Sequence, residues 1–209
     1  MSGLLILGAG GHGRVVADAA RLTGRWTTVA FLDDRHADLG AVDGLPVLGS
    51  FAASKGLVGR YRQAVAAVGD NRLRLQVLKV LRKEGFELPS IIHPGAIVGS
   101  DVILGEGTVV LAQSVINVGA RLAEGCIVNT GATVDHECVI GRGVHLSPGV
   151  HLGGNVIVGD RTWLGVGAVV RNGVTIGKDV MVGVGAAVID DLPDGVTAVG
   201  VPARVVGTS

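Results

Sequence analysis

The chain has 209 residues, 18 of them basic and 18 acidic, so its formal net charge is zero. Nucleic-acid binders carry a basic face, and nucleic acid is not expected as a partner here. No apolar stretch reaches the roughly 20 residues of a membrane span, and the apolar core of "MSGLLILGAGGHG" is too short for a signal segment, so a cytoplasmic protein is expected.

Residues 1–90 read as a small parallel α/β domain. "GLLILGAGGHG" is an apolar strand that runs into a glycine turn, and "HGRVVADAARLTG" is an amphipathic helix closed by Gly24. "TTVAFLDD" is a second strand ending on Asp33 and Asp34, and "LPVLGS" and "QAVAAVGDN" are further short strands. "NRLRLQVLKVLRKEGF" is a helix with Leu73, Val77, Val80 and Leu81 expected on its apolar face. Gly8, Gly10 and Gly13 satisfy G-x-G-x-x-G between strand and helix, with Asp33 about 20 residues on, which is the dinucleotide fingerprint. A dinucleotide fold needs two mononucleotide halves, however, and this stretch has room for one. One nucleotide is the better fit. Its phosphate would meet the helix N-terminus at Gly10, Gly11 and His12, and Asp33 and Asp34 would accept from a base or sugar. The plainer reading is that the two aspartates only open a loop.

From residue 91 the chain divides into sixteen hexads, from IIHPGA to MVGVGA. The second position is always Ile, Val or Leu, and the sixth is always Ala, Val, Thr, Ser or Cys. Such a period describes a triangular prism in which each hexad gives one short strand and one corner, three hexads completing a coil. The aliphatic residue points inward with the small residue beside it, and Gly or Asn accepts the corner. Cys126 and Cys138 occupy the small inward slot and are expected to be packing residues. The 35 glycines of the chain follow from these turns, since there is no G-X-Y period.

The hexads resemble the left-handed parallel β-helix of hexapeptide-repeat acyltransferases, typically trimers with acyl-CoA bound between adjacent subunits. Together with "GAGGHG", "FLDD", "VGDNRLR" and "VDHECVIG", the whole chain resembles bacterial nucleotide-sugar N-acetyltransferases, grouped with the sialic-acid O-acetyltransferase type. That resemblance implies an α/β nucleotide-sugar-binding domain at 1–90, half-Rossmann-like, and an acetyltransferase β-helix with a C-terminal tail at 91–209. It further implies acetyl-CoA as co-substrate, a homotrimer, and a nucleotide-linked amino sugar, of the 4-amino-4,6-dideoxy type, used in surface-glycan synthesis.

Acetyl transfer to an amine needs the amine neutral, and a histidine that titrates near working pH suits the proton transfer. The resemblance makes His136 the base and Glu137 its tuning carboxylate, with Asp135 a second candidate to orient the ring. Asn117 lies 18 residues before Asp135, one full coil, and is expected to stack beside it. The resemblance assigns His145, with main-chain groups near Val166 and Val184, to acetyl-CoA. Gly10, Gly11, His12, Asp33, Asp34 and Gly69 are the expected nucleotide-sugar set. His93 and His151 are expected at the surface. A metal held by His136, His145 and His151 is a rival reading that needs three or four converging ligands, and no metal is expected. O-acetylation of a sugar hydroxyl by the same histidine is a second rival, and a non-catalytic scaffold is a third.

Overall fold

The computed structural model describes residues 3–208. In chain order the first unit runs β1 (Gly3–Leu7), α1 (Gly11–Leu22), β2 (Thr28–Leu32), α2 (His36–Leu39), the hairpin β3 (Ala41–Val42) and β4 (Leu45–Pro46), β5 (Gln63–Ala66) and α3 (Asn71–Glu84). Strands β2, β1 and β5 pair in parallel, in that order. All five residues of β1 are buried, which is why its apolar run does not alternate. Gly8 closes the strand at φ +112°, and a Cβ on Gly13 would collide with the Gly8 carbonyl. The three strands make a small parallel sheet with β1 in its centre.

Helix α3 corrects one expectation. Leu73 and Val80 are exposed, and the buried face is Arg74, Val77, Leu78 and Leu81. Asp70 caps the helix by accepting from the Leu73 N–H at 2.7 Å, and Gly85 ends it at φ +97°. Leucine-rich periodicity points one way, but a buried arginine rotates the helix toward its polar partners.

The second unit is a left-handed parallel solenoid of about 6 turns. Two-residue strands recur every six residues, from β6 (Ile91–Ile92) to β22 (Ala187–Val188), and each pairs with the strand 18 residues away. Three faces result. The first carries Ile91, Val109, Ile127, His145 and Trp163, the second Ile97, Val115, Thr133 and His151, and the third Ile103, Arg121, Val139 and Ile157. Second- and sixth-position side chains fill the interior from Val110 onward. Val98, in the first coil, remains 37% exposed because no coil precedes it. In every hexad from residue 97 to 186 the fifth position has positive φ. Third-position glycines such as Gly141 and Gly165 let coils close up, because a Cβ there would lie 2.6 or 2.8 Å from the backbone N of Asp160 or Val184. The repeat outlasts the sixteen hexads, since β23 (Val196–Val199) adds to the first face and pairs antiparallel with β24 (Arg204–Thr208).

The α/β unit sits on the first face and on the edge where the third face turns into it. Ile91, Val109 and Leu111 join the same core as β1 and α1. Leu78 lies against the corners at Gly107 and Gly125, and Leu75 against Gly125 and Gly143. Among the described residues, no helix is long and apolar enough to cross a membrane.

Candidate active site

On the α/β side, the chain reverses direction around β1, so the loops after β1 and β5 border the crevice where open parallel sheets bind ligands. The loop after β1 holds Gly10, and Gly11 and His12 open α1; the loop after β5 holds Gly69. Asp33 stiffens this corner. Its Oδ2 accepts from the Ala9 N–H at 2.9 Å, and its Oδ1 accepts from the Arg35 N–H and Nε at 2.9 and 3.1 Å. Burial alone would raise this carboxyl, but the Arg35 side chain and the two backbone N–H groups outweigh it and hold the pKa at about 2. Asp34 accepts from the Phe51 N–H at 3.0 Å through Oδ1. Both aspartates therefore brace the backbone of this corner.

A cleft of about 590 Å³ opens from this corner onto the first face of the solenoid, lined by Gly69, Asn71, Arg72, His145, Trp163 and Met181 among others. His145 is an outward first-position residue, yet it is buried because the α/β unit covers that face. Its ring stacks parallel to Trp163 with centroids 5.6 Å apart and lies 6.4 Å from the ring of His12. The Trp163 Nε1–H donates to Ser147 Oγ at 2.7 Å, which fixes the indole. Burial, then the Arg74 charge, pushes His12 down to about 4 and His145 down to about 3, with His12 itself adding to the shift of His145. Both rings are neutral at pH 7. Among the described residues, His12 Nε2 and His145 Nδ1 are buried without a hydrogen-bond partner.

Arg74 is the member of this corner that periodicity misses. It is fully buried and donates to the carbonyls of Gly125, Gly143, Val68 and Gly69 and to Asn71 Oδ1, at 2.7 to 3.1 Å. Desolvation lowers it to about 10, so it stays charged. It ties the Gly69 loop to two corners of the solenoid. The only signal for it in the sequence is an arginine in phase with Leu78 and Leu81.

The second cluster stands on the vertex between the second and third faces, in the corner that follows Thr133–Val134. Here His136 and Glu137 are exposed, with Nδ1 and Oε2 3.5 Å apart. Asp135 does not reach the ring. Its Oδ1 accepts from Asn117 Nδ2 and from the His136 N–H, both at 2.8 Å, so Asn117 does stack one coil away. Those two donors hold the Asp135 carboxyl below its usual range. Glu137 occupies the left-handed fifth position at φ +57°, a conformation that side chains other than Gly, Asn and Asp rarely adopt. The His136 imidazole lies across the next coil, over Gly154.

His145 and His136 are not brought together in one chain. His145 lies on the first face with His12, and His136 on the vertex opposite that face. His151 belongs to the second face, where its Nδ1 pairs with Thr133 Oγ1 at 2.9 Å. Among the described residues no group of three His, Cys, Asp or Glu side chains is placed to hold a metal ion. Val166 and Val184 are exposed one coil apart on the edge between the first and second faces. Cys126 and Cys138 are buried, with Sγ against the Gly141 and Gly153 carbonyls. Burial pushes the Cys126 thiol up to about 12, so neither is an activated nucleophile.

The chain is similar to several known proteins. Residues 3–81 match the family model described as the PglD N-terminal domain. A curated relative, UDP-N-acetylbacillosamine N-acetyltransferase of Bacillus subtilis (strain 168), is 35% identical over 119 residues, covering 54% of this chain and 52% of the relative. The match thus spans about half the length of that relative. Among solved structures, the acetyltransferase domain of PglB from Neisseria gonorrhoeae FA1090 is 42% identical with a TM-score of 0.95, covering 99% of this chain and all of that one; the domain is also known in complex with acetyl coenzyme A. PerB from Caulobacter crescentus, in complex with CoA and GDP-perosamine, is 44% identical with a TM-score of 0.92, covering 99% and 98% of the two chains.

Proposed function

The chain belongs to the hexapeptide-repeat sugar N-acetyltransferases, and from that premise we propose that it moves the acetyl group of acetyl-CoA onto the amino group of a nucleotide-linked amino sugar. We assign the sugar to the 4-amino-4,6-dideoxy class, the product to surface-glycan synthesis, and the reaction to the cytoplasm. Residues 1–90 hold the nucleotide sugar and residues 91–209 carry the transfer.

The reading is carried by the His136–Glu137 pair. With Nδ1 toward the Glu137 carboxylate at 3.5 Å, the ring directs Nε2 away from that carboxylate, as the atom that accepts a proton. The sugar amine attacks the thioester carbonyl, so that a C–N bond forms and the C–S bond breaks. Nε2 takes the amine proton and returns it to the leaving thiolate. Glu137 stabilises the imidazolium that forms in between. No acetyl-enzyme is needed, and both thiols are buried.

The nucleotide set is Gly10, Gly11, His12, Asp33, Asp34 and Gly69, with Asn117 on the sugar side; His145 and the main chain at Val166 and Val184 form the acetyl-CoA set. Because the nucleotide crevice and His136 lie on opposite sides of one prism, a second copy supplies the base, and we propose a homotrimer as the active form. The test is complementation between His136→Ala and His12→Ala, each weak alone. His136→Ala should lose on the order of 10²–10⁴ in turnover, and His12→Ala should raise the KM for the sugar nucleotide. Co-expressed chains should recover part of the activity, since some sites then contain both intact residues. No recovery would place both groups in one subunit's site. Near-normal turnover by His136→Ala would remove the base from the mechanism.

A further inference from the structure

One glycine of the solenoid has no reason to be glycine in its own backbone. Gly154 is the fourth residue of its hexad, and fourth positions elsewhere carry Pro94, Ser100, Glu106, Ala112, Thr130, Arg142, Asp160 and Lys178, among others. Its φ lies outside the left-handed region that marks fifth positions. The corner that Gly154 occupies therefore accepts almost any side chain, yet Gly154 is buried. What covers it is the imidazole of His136, one coil earlier in the same column of corners. A Cβ on Gly154 would collide with Nε2 and stand 2.5 Å from Cε1 and 3.0 Å from Cδ2; these ring atoms are the three nearest to it.

We propose that Gly154 is a positioning residue for the acetyl transfer: it is the seat on which the His136 ring lies with Nδ1 toward Glu137. This rests on the reading of His136 as the base. The ring has few other restraints. It is a corner residue with about half of its side chain exposed, and the Glu137 contact at 3.5 Å is an ion-pair distance rather than a hydrogen bond. The hydrogen bond from the Asn155 N–H to the His136 carbonyl, at 2.9 Å, holds the two coils in register, so the floor beneath the ring is rigid. A methyl group at 154 leaves the backbone undisturbed and forces the imidazole to swing outward. Nε2 then leaves the position from which it takes the amine proton, and Nδ1 leaves the carboxylate.

The experiment is a double-mutant cycle of Gly154→Ala and His136→Ala, assayed with acetyl-CoA and GDP-perosamine by release of free CoA. A misplacement near 1 Å is worth on the order of 10²-fold in rate, so Gly154→Ala should lower kcat by about that factor while both KM values change less than threefold. In the His136→Ala background the same substitution should change nothing, because no ring remains to displace. The His136 Cε1–H resonance, identified by its loss in His136→Ala, should change position in Gly154→Ala, because the ring leaves its place over residue 154. Wild-type kcat in Gly154→Ala, an equal further loss on top of His136→Ala, or an unmoved resonance would each overturn the seat. If Gly154→Ala fails to fold, the double variant should fold again; failure of both would show that Gly154 serves the coil and not the ring. Near-normal turnover by His136→Ala alone would instead refute the base, a result the cycle reads separately.

Discussion

Replacing Arg74 by Met keeps most of the buried stem and deletes five donated hydrogen bonds. Two of these, to the Gly125 and Gly143 carbonyls, are wholly buried, while those to Val68, Gly69 and Asn71 are partly so. A hydrogen bond from a charged donor contributes about 1.5–3 kcal/mol net, and a buried carbonyl left without a partner keeps its desolvation cost. The two buried bonds alone thus set a loss of roughly 3–6 kcal/mol, with water able to replace part of the other three. At about 2–4 °C per kcal/mol for a chain of this size, the unfolding midpoint should fall by at least 6 °C. Lys at 74 keeps the charge but brings three donors without the planar fork, and should recover less than half of the loss. Thermal unfolding measures both variants. Because Arg74 fixes the Gly69 loop, the KM for the sugar nucleotide should rise in Arg74→Met as well. A midpoint within 3 °C of wild type would refute the view that this arginine joins the two units.

Acid should destabilise the protein before its carboxylates titrate. His12 and His145 are held near 4 and 3 when folded against 6.5 when unfolded, so the unfolded chain binds more protons below pH 6.5 and stability falls as pH drops through that window. At pH 5 the loss should be roughly 2 kcal/mol for each ring relative to pH 7.5, from 1.36 kcal/mol per pH unit; urea titrations at the two pH values giving equal stability would show that these rings are charged in the folded state. Glu137→Gly should relieve the left-handed φ, raising stability by about 1 kcal/mol, while turnover falls; a parallel fall of both would mean that Glu137 is structural. Asp33→Ala removes the acceptor for the Ala9 N–H and the Arg35 side chain and should cost about 1–3 kcal/mol, with chemical denaturation as the measure.

The solenoid is readable because its physics is local. A second position that is always Ile, Val or Leu and a sixth that is always small are enough to place inward residues such as Ile140 and Cys138 without knowing their neighbours. Stacking at 18 residues likewise places Asn117 beside Asp135. The α/β unit is less readable where tertiary contacts decide. Arg74 looks like a surface residue of α3, and Leu73 and Val80 look like core, until the corners at Gly125 and Gly143 supply carbonyls. His145 is expected outside the prism. Its hexad position is indeed outward, but the α/β unit lies over that face, and no periodicity within the repeat reports what covers it. Gly154 is hidden for the opposite reason, as one glycine among 35. Only its φ and its neighbour separate it from the turn glycines.

The same residue type meets two environments in this chain because of where a coil of 18 residues places it. His136 and Gly154 differ by 18 and so share a column, which lets one ring rest on one glycine. His136 and His145 differ by nine, half a coil, which sends them to opposite sides of the prism. On one side the ring is half in water and next to a carboxylate. On the other, burial and the Arg74 charge keep the His12 and His145 rings neutral, so they line the crevice without adding charge to it. A proton acceptor and a neutral binding wall need these contrasting environments, and a single narrow prism cannot offer both in one place. Packing the vertex of one copy against the covered face of the next would bring them together without changing either environment. Association would then be part of the catalytic design, and a monomeric variant should bind the sugar nucleotide yet fail to turn it over.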